Sequence, residues 1–161
     1  MNLNRPNKLK IISKEEEYML TLKKLLVAFD GSPYSMKAFD FALELSNLSP
    51  EPSHKIYVLS VVQVPEPADL VEMDAIIDAA TEHYEVMFKE LRQKGAVANV
   101  PVTTEVAVGH PADQIVHYAV EKGCDMVILG HRGKSRMEKW LLGSVSKRVT
   151  TYAPCTVTIV R

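Results

Sequence analysis

Short, continuously apolar runs alternate with helix-period segments along most of this chain, and that alternation limits its possible folds more than any other feature. Lys23 to Phe29 (KKLLVAF), Ile56 to Val64 (IYVLSVVQV), Val102 to Val108, Met126 to Leu129 and Cys155 to Val160 (CTVTIV) read as five strands. After the first, Ser32 is a good N-cap and Pro33 suits the first helical position. Ala38, Phe41, Ala42 and Leu45 then recur at helical spacing in a helix that ends before Pro50. From Ala68 to Lys94, the residues Met73, Ile76, Ile77, Ala80, Tyr84, Met87, Phe88 and Leu91 form one long stripe, with Gly95 placed as its C-cap. Gly109 to Asp113 opens a third helix that Gly123 ends, and a fourth runs from about Ser144 to Tyr152. Strands that are apolar throughout and joined by helices lie parallel, in a sheet covered on both faces. Right-handed crossovers set the rest of the architecture. The less regular pattern at Val102, Glu105 and Val106 puts the third strand near a sheet edge.

Bulk properties narrow the function classes. At 161 residues the chain is expected to be one domain with a substantial core, residues 21–161, preceded by an extension over 1–20. Ser13 to Glu16 resembles a capping box, but a solvated, flexible tail is the favoured reading of that extension, and Met19 is an alternative natural start. A formal net charge of −1 makes no electrostatic case for nucleic acid or an anionic membrane. No apolar run reaches the length of a membrane span, and residues 1–10 lack the apolar core of a secretory signal. Cys124 and Cys155 sit in or beside apolar segments and read as reduced packing residues of a cytoplasmic protein. No spacing among the cysteines and the five histidines is that of a metal site.

In sheets of this kind ligands lie beyond the carboxyl ends of the strands, where strand order reverses. Three segments belong to that edge: the turn at Asp30, the end of strand two at Val61 to Val64, and Gly130-His131-Arg132-Gly133 after strand four. Nine residues after Gly133 comes Gly143-Ser144 at a helix start, where free N–H groups and a hydroxyl can receive an anion such as a phosphate. Glycines also end strands and cap helices in proteins that bind nothing, so this spacing alone leaves both readings open. Gly130 to Ser135 is not a P-loop, because two residues rather than four separate its glycines. No G-x-G-x-x-G follows strand one, and Asp30-Gly31-Ser32 is not a nucleophile elbow. His131 and Asp30 are the accessible titratable groups on this rim; His131 reads as an exposed loop residue rather than a catalyst. Arg132 and Lys134 either pair with phosphate oxygens or are solvated charges. His110 reads as a helix-entry residue, and Trp140, Leu141 and Leu142 as core or a pocket lid.

These residues resemble the universal stress protein family from about Lys23 to Arg161. The resemblance is carried by Leu26-Val27-Ala28-Phe29-Asp30-Gly31-Ser32, by Val108 to Ala112, by the closing Ala153 to Val160, and by the glycine pattern of the family's ATP-binding branch, G-x2-G-x9-G-[ST], at Gly130, Gly133, Gly143 and Ser144. It implies a Rossmann-like three-layer sandwich of the adenine nucleotide alpha hydrolase-like type, with ATP across the carboxyl edge. By that resemblance Ala28 and Asp30 border adenine and ribose, Val61 offers backbone contacts to adenine, and Gly130 lies against ribose. Arg132, Gly133, Lys134, Ser135 and Arg136 lie near the phosphates, which Gly143, Ser144, Val145 and Ser146 receive. A divalent ion, Mg2+ or Mn2+, is expected to bridge the phosphate oxygens. The resemblance also implies a homodimer through the last strand, Thr156, Val157, Thr158, Ile159 and Val160. It implies a regulatory role in stress response, with nucleotide occupancy setting the shape of the loop and dimer for an unknown protein partner. Two alternatives stand beside it: a slow ATPase using Arg132, Lys134 and the metal, and a nucleotide-free dimeric scaffold.

Overall fold

The computed structural model describes residues 22–48, 54–65, 69–133 and 142–161. Strand and helix alternate as β1 (Lys24–Ala28), α1 (Pro33–Asn47), β2 (Lys55–Val62), α2 (Leu70–Val97), β3 (Val102–Val108), α3 (Pro111–Lys122), β4 (Met126–Gly130), α4 (Ser144–Tyr152) and β5 (Thr156–Val160). All strand pairs are parallel, in the order β3-β2-β1-β4-β5. The five-stranded α/β sandwich expected from the alternation is therefore present. β3 takes one edge, as its mixed pattern foretells, and β5 takes the other.

Alternating residues of the central strands feed two cores. Leu25 and Val27 of β1 join Ile56, Val58 and Ile128 under Phe39 of α1 and Phe88 and Leu91 of α2. Leu26 joins Tyr57, Leu59, Val127 and Leu129 under Ile115 and Tyr118 of α3 and Val149 of α4. Burial of each such aliphatic side chain stabilises the fold by roughly 1.5–3 kcal/mol. β1 is buried on both sides, and Leu25, Leu26 and Val27 are all fully buried.

The local signals at helix ends mostly hold. Ser32 caps α1, with Pro33 in its first turn. Gly123 ends α3 in the left-handed region at φ 60°. Gly95 does not cap α2: the helix continues to Val97, and the turn is made by Ala98 and by Asn99 at φ 56°. Gly95 is instead a packing glycine, since a Cβ there would run into the Val102 side chain and lie 2.9 Å from the Val100 carbonyl oxygen. Asp69 and Glu72 form a reciprocal capping box at the start of α2. Both cysteines are free, and burial pushes the Cys124 thiol up to about 11. No helix among the described residues is long and apolar enough to cross a membrane. The expectations for residues 1–20, including the capping box at Ser13, lie outside the described residues.

Candidate nucleotide cleft

The strand order reverses between β1 and β4, so the ends of these two strands open side by side. At the end of β1, Gly31 takes φ 78°, a conformation that favours glycine, and the chain doubles back into α1. Asp30 Oδ1 accepts the Ser32 amide at 2.9 Å. Ser32 Oγ accepts the Ser35 amide at 3.1 Å, and Ser35 Oγ donates to the Ser32 carbonyl at 2.9 Å. The start of α1 thus gives two of its amides, those of Ser32 and Ser35, side-chain acceptors of its own. Next to it, the buried Ser60 hydroxyl donates to the Phe29 carbonyl at 2.7 Å and pins the end of β1 to β2.

The β4 end is equally crowded. A Cβ on Gly130 would lie 2.7–2.9 Å from Cβ, C and O of Tyr34 in α1. The glycine requirement at Gly130 therefore comes from close packing of β4 against α1. A Cβ on Gly133 would lie 2.5 Å from Asp30 Oδ2, so the two turns that follow β1 and β4 touch. His131 donates its amide to the Val160 carbonyl of β5 at 2.8 Å, and its carbonyl accepts the Gly143 amide at 3.0 Å. These bonds close the base of the loop between Gly133 and Gly143 and set the entry of α4. Ser146 Oγ, also buried, donates to the Gly130 carbonyl at 3.0 Å, fastening α4 to the end of β4. On the far side of α4, Arg148 pairs with Asp113 of α3 at 2.9 Å.

Gly143 is the N-cap of α4 and makes no side-chain capping bond. Helical geometry leaves the amides of the first turn, at Ser144, Val145 and Ser146, without intrahelical acceptors. They border a cleft of about 450 Å³ that is also lined by Ala28, Phe29, Asp30, Leu59, Val61, Gly130, Arg132 and Gly133. Ten of the residues picked from sequence come together here: Ala28, Asp30, Val61, Gly130, Arg132, Gly133, Gly143, Ser144, Val145 and Ser146. Lys134, Ser135 and Arg136, with Trp140 and Leu141, lie outside the described residues. Leu142 is exposed rather than part of a core.

Sequence reading missed several walls of the cleft. Gln63, Ser35, Pro111, Ile115 and Leu129 line it, as does Tyr84 of α2. Tyr84 reads from sequence as one member of a helical core stripe, and its ring does belong to the core. Burial and the nearby negative charge of Asp30 raise its phenol pKa, so the hydroxyl keeps its proton at neutral pH. His131 is half-buried rather than an exposed loop residue: its ring packs edge-on against Tyr34, with centroids 4.4 Å apart. Desolvation, then the charge of Arg132, lowers its pKa and keeps it neutral. His110 occupies the N-cap of α3, in keeping with a helix-entry role. Among the described residues no group of three His, Cys, Asp or Glu side chains is arranged to hold a metal ion.

Residues 21–161 match the model of the Universal stress protein family. The chain is 32% identical over 149 residues to Universal stress protein YxiE of Bacillus subtilis, covering 86% of this chain and 98% of that one. It is 31% identical over 142 residues to Universal stress protein MJ0531 of Methanocaldococcus jannaschii, covering 86% and 82%. Among solved structures it resembles universal stress protein UspA from Lactobacillus plantarum, with a TM-score of 0.77 at 26% identity, covering 87% and 98%. Two more distant structures share the fold. One is a universal stress protein in complex with cAMP, with a TM-score of 0.60 at 22% identity, covering 86% and 97%. The other is an Arabidopsis thaliana family member with AMP bound, with a TM-score of 0.62 at 22% identity, covering 86% and 90%.

Proposed function

Since the chain belongs to the universal stress protein family, we propose that its cleft holds an adenine nucleotide and that the protein is a regulatory module read through its nucleotide occupancy. The observation that carries this reading is the uncapped start of α4 facing the same cleft as Asp30 and Gly130. Amide donors and the positive end of a helix dipole receive phosphate oxygens, here at Ser144 and Val145 with the Ser144 hydroxyl. Arg132, which also lines the cleft, adds a full positive charge. In this reading Lys134, Ser135 and Arg136 complete the phosphate side. The apolar wall of Ala28, Val61 and Ile115 suits a flat purine, and Asp30 and Gly130 border the sugar. The relatives that carry AMP and cAMP support the adenine class.

ATP with Mg2+ or Mn2+ is the proposed form. Asp30 is the only carboxylate among the described residues that line the cleft, so most of the ion's ligands would come from phosphate oxygens and water. The free edge of β5, Thr156–Val160, is proposed to pair with a second copy, since an uncovered apolar edge strand favours a partner. The bond from the His131 amide to the Val160 carbonyl supports a link between the loop and that edge. The two free cysteines support a reducing, cytoplasmic setting.

Thermal unfolding of the nucleotide-stripped protein, with and without Mg-ATP, tests the reading. A ligand at a hundredfold its Kd adds about 2.7 kcal/mol to the folded state. At about 2–4 °C per kcal/mol for a domain of this size, Tm is expected to rise by roughly 5–10 °C. An unchanged Tm at millimolar Mg-ATP would leave the glycine loop structural and the cleft without a nucleotide role.

A further inference from the structure

We propose that the first half of α2 is a docking face, and that a cationic, apolar segment of the same chain, residues 5–14, binds there.

Helix α2 is apolar along one side for most of its length, but that side is covered along only part of it. Positions 70, 73, 77, 80, 84 and 88 follow one another at spacings of three and four, so they share a face. Toward the end of the helix this face is core: Tyr84 is 8% exposed and Phe88 is fully buried. Toward the start it is bare. Leu70 is 78% exposed, and Leu70, Met73 and Ile77 belong to neither core, while Ala80 touches the margin of the first. No residue from 70 to 83, about four turns, is buried. Most of a helix's stability in a protein comes from packing its apolar face, and an apolar stripe left bare over that length marks a contact surface.

Charge identifies the partner. Between Asp69 and Glu85 the helix carries six carboxylates, at 69, 72, 74, 78, 82 and 85, and no lysine or arginine. Glu72 serves the capping box and Glu85 pairs with Arg92. Among the described residues no ion pair engages Asp74, Asp78 or Glu82. Asp74 and Asp78 lie one turn apart along the rim of the bare stripe. The complement of this face is a segment that is both cationic and apolar. Residues 5–14 have that composition: Arg5, Lys8, Lys10 and Lys14, with Leu9, Ile11 and Ile12 among them and no acidic residue.

The distances allow the contact. Leu22 packs against the core that α1 and α2 cover, so the chain approaches β1 on the side of the sheet that carries the face. Gly95, beside Val102, marks the level of the strand starts, and positions 80 to 70 lie about 23–38 Å from it along α2. An extended chain covers about 3.3 Å per residue, so residues 12 to 5 can reach about 33–56 Å from Leu22. Weak binding is enough for such a contact. A short linker gives an effective concentration of about 1 mM, and a site with a Kd of about 0.1 mM is then filled about nine-tenths of the time.

The test uses the full chain. Zero-length carbodiimide coupling followed by peptide mass mapping is expected to join Lys8, Lys10 or Lys14 to Asp74, Asp78 or Glu82 within one chain. Amide hydrogen exchange over residues 70–80 is expected to be roughly tenfold faster in Ile11→Asp/Ile12→Asp than in the unaltered protein, the factor that nine-tenths occupancy gives. Exchange in β1 and β4 should be the same in both, which shows that the fold is intact. Cross-links from these lysines spread over carboxylates on other faces, or unchanged exchange over 70–80 in the double variant, would overturn the proposal and leave the face to a different protein. Coupling between isotopically distinct copies, rather than within one, would overturn the assignment to the same chain and give the face to a second copy.

Discussion

The starts of α1 and α4 flank the same cleft, yet they are finished in opposite ways. At α1 the Ser32 hydroxyl takes the Ser35 amide, Ser35 returns a bond to the Ser32 carbonyl, and the Asp30 carboxylate takes the Ser32 amide. At α4 the cap is Gly143, which brings no side chain to the first-turn amides. A helix start capped by its own side chains has fewer amides left to offer, whereas one capped by glycine receives no side-chain acceptor from its cap. The open start is cheap, because glycine at an N-cap stabilises a helix only a few tenths of a kcal/mol less than serine or aspartate. The contrast between the two helix starts at this edge therefore follows from which side chain was left out.

Three substitutions would break or sharpen that contrast. The largest effect is expected from Gly143→Asp. The new Cβ has room, its nearest neighbour being the His131 carbonyl oxygen at 3.5 Å, and an aspartate there can cap α4. It would also occupy the amide donors and set a negative charge against the phosphates, costing at least roughly 2 kcal/mol, or about 30-fold in Kd. Calorimetric titration with Mg-ATP should show that loss while Tm stays level or rises slightly. Retained affinity would mean that the α4 start is not the phosphate site.

Gly130→Ala comes next, and its effect is on stability. The methyl group would press on backbone atoms of Tyr34 that cannot swing aside, an overpacking expected to cost about 1–3 kcal/mol. Tm should fall by roughly 3–10 °C without ligand. An unshifted Tm would show that β4 and α1 have slack at this point. The smallest effect is expected from Ser32→Ala, which removes the α1 cap and costs about 1 kcal/mol, or about 2–4 °C in Tm. Nucleotide affinity should stay within about twofold, because Ser32 is not among the residues that line the cleft. A large affinity change with Ser32→Ala would erase the distinction between the two helix starts.

Much of this arrangement is legible in the chain itself. Ser32-Pro33 reads as a helix start, Gly123 as a helix end, and Gly143-Ser144 as a second helix start, because each depends on backbone geometry within a few residues. The failures are non-local. Gly95 carries the same local signal as Gly123, but its reason for being glycine is the Val102 side chain beyond the turn, so the helix runs on past it. Tyr84 fits a helical core stripe, and no periodicity reveals that it also lines a cleft built from the ends of other strands. His131 looks exposed because it follows a glycine at a strand end, and it is half-buried because Tyr34 of α1 packs beside it.

By itself the sequence determined the alternation of five apolar strands with four amphipathic helices, and from it a parallel sheet covered on both faces. Those properties rest on side-chain periodicity and turn chemistry, which act over short stretches of chain. Only the tertiary structure decided that β1 lies between β2 and β4. The Asp125 carboxylate accepts the amides of Lys23 and Lys24 at 2.8 Å each, across about a hundred residues of chain, and β4 aligns Val127 with Leu26. That neighbour relation sets Asp30 against Gly133 and turns the start of α4 toward the end of β1. The physical reason is that strand order is settled by how the two cores pack and by the crossovers that bury them, a choice made between segments far apart in the chain.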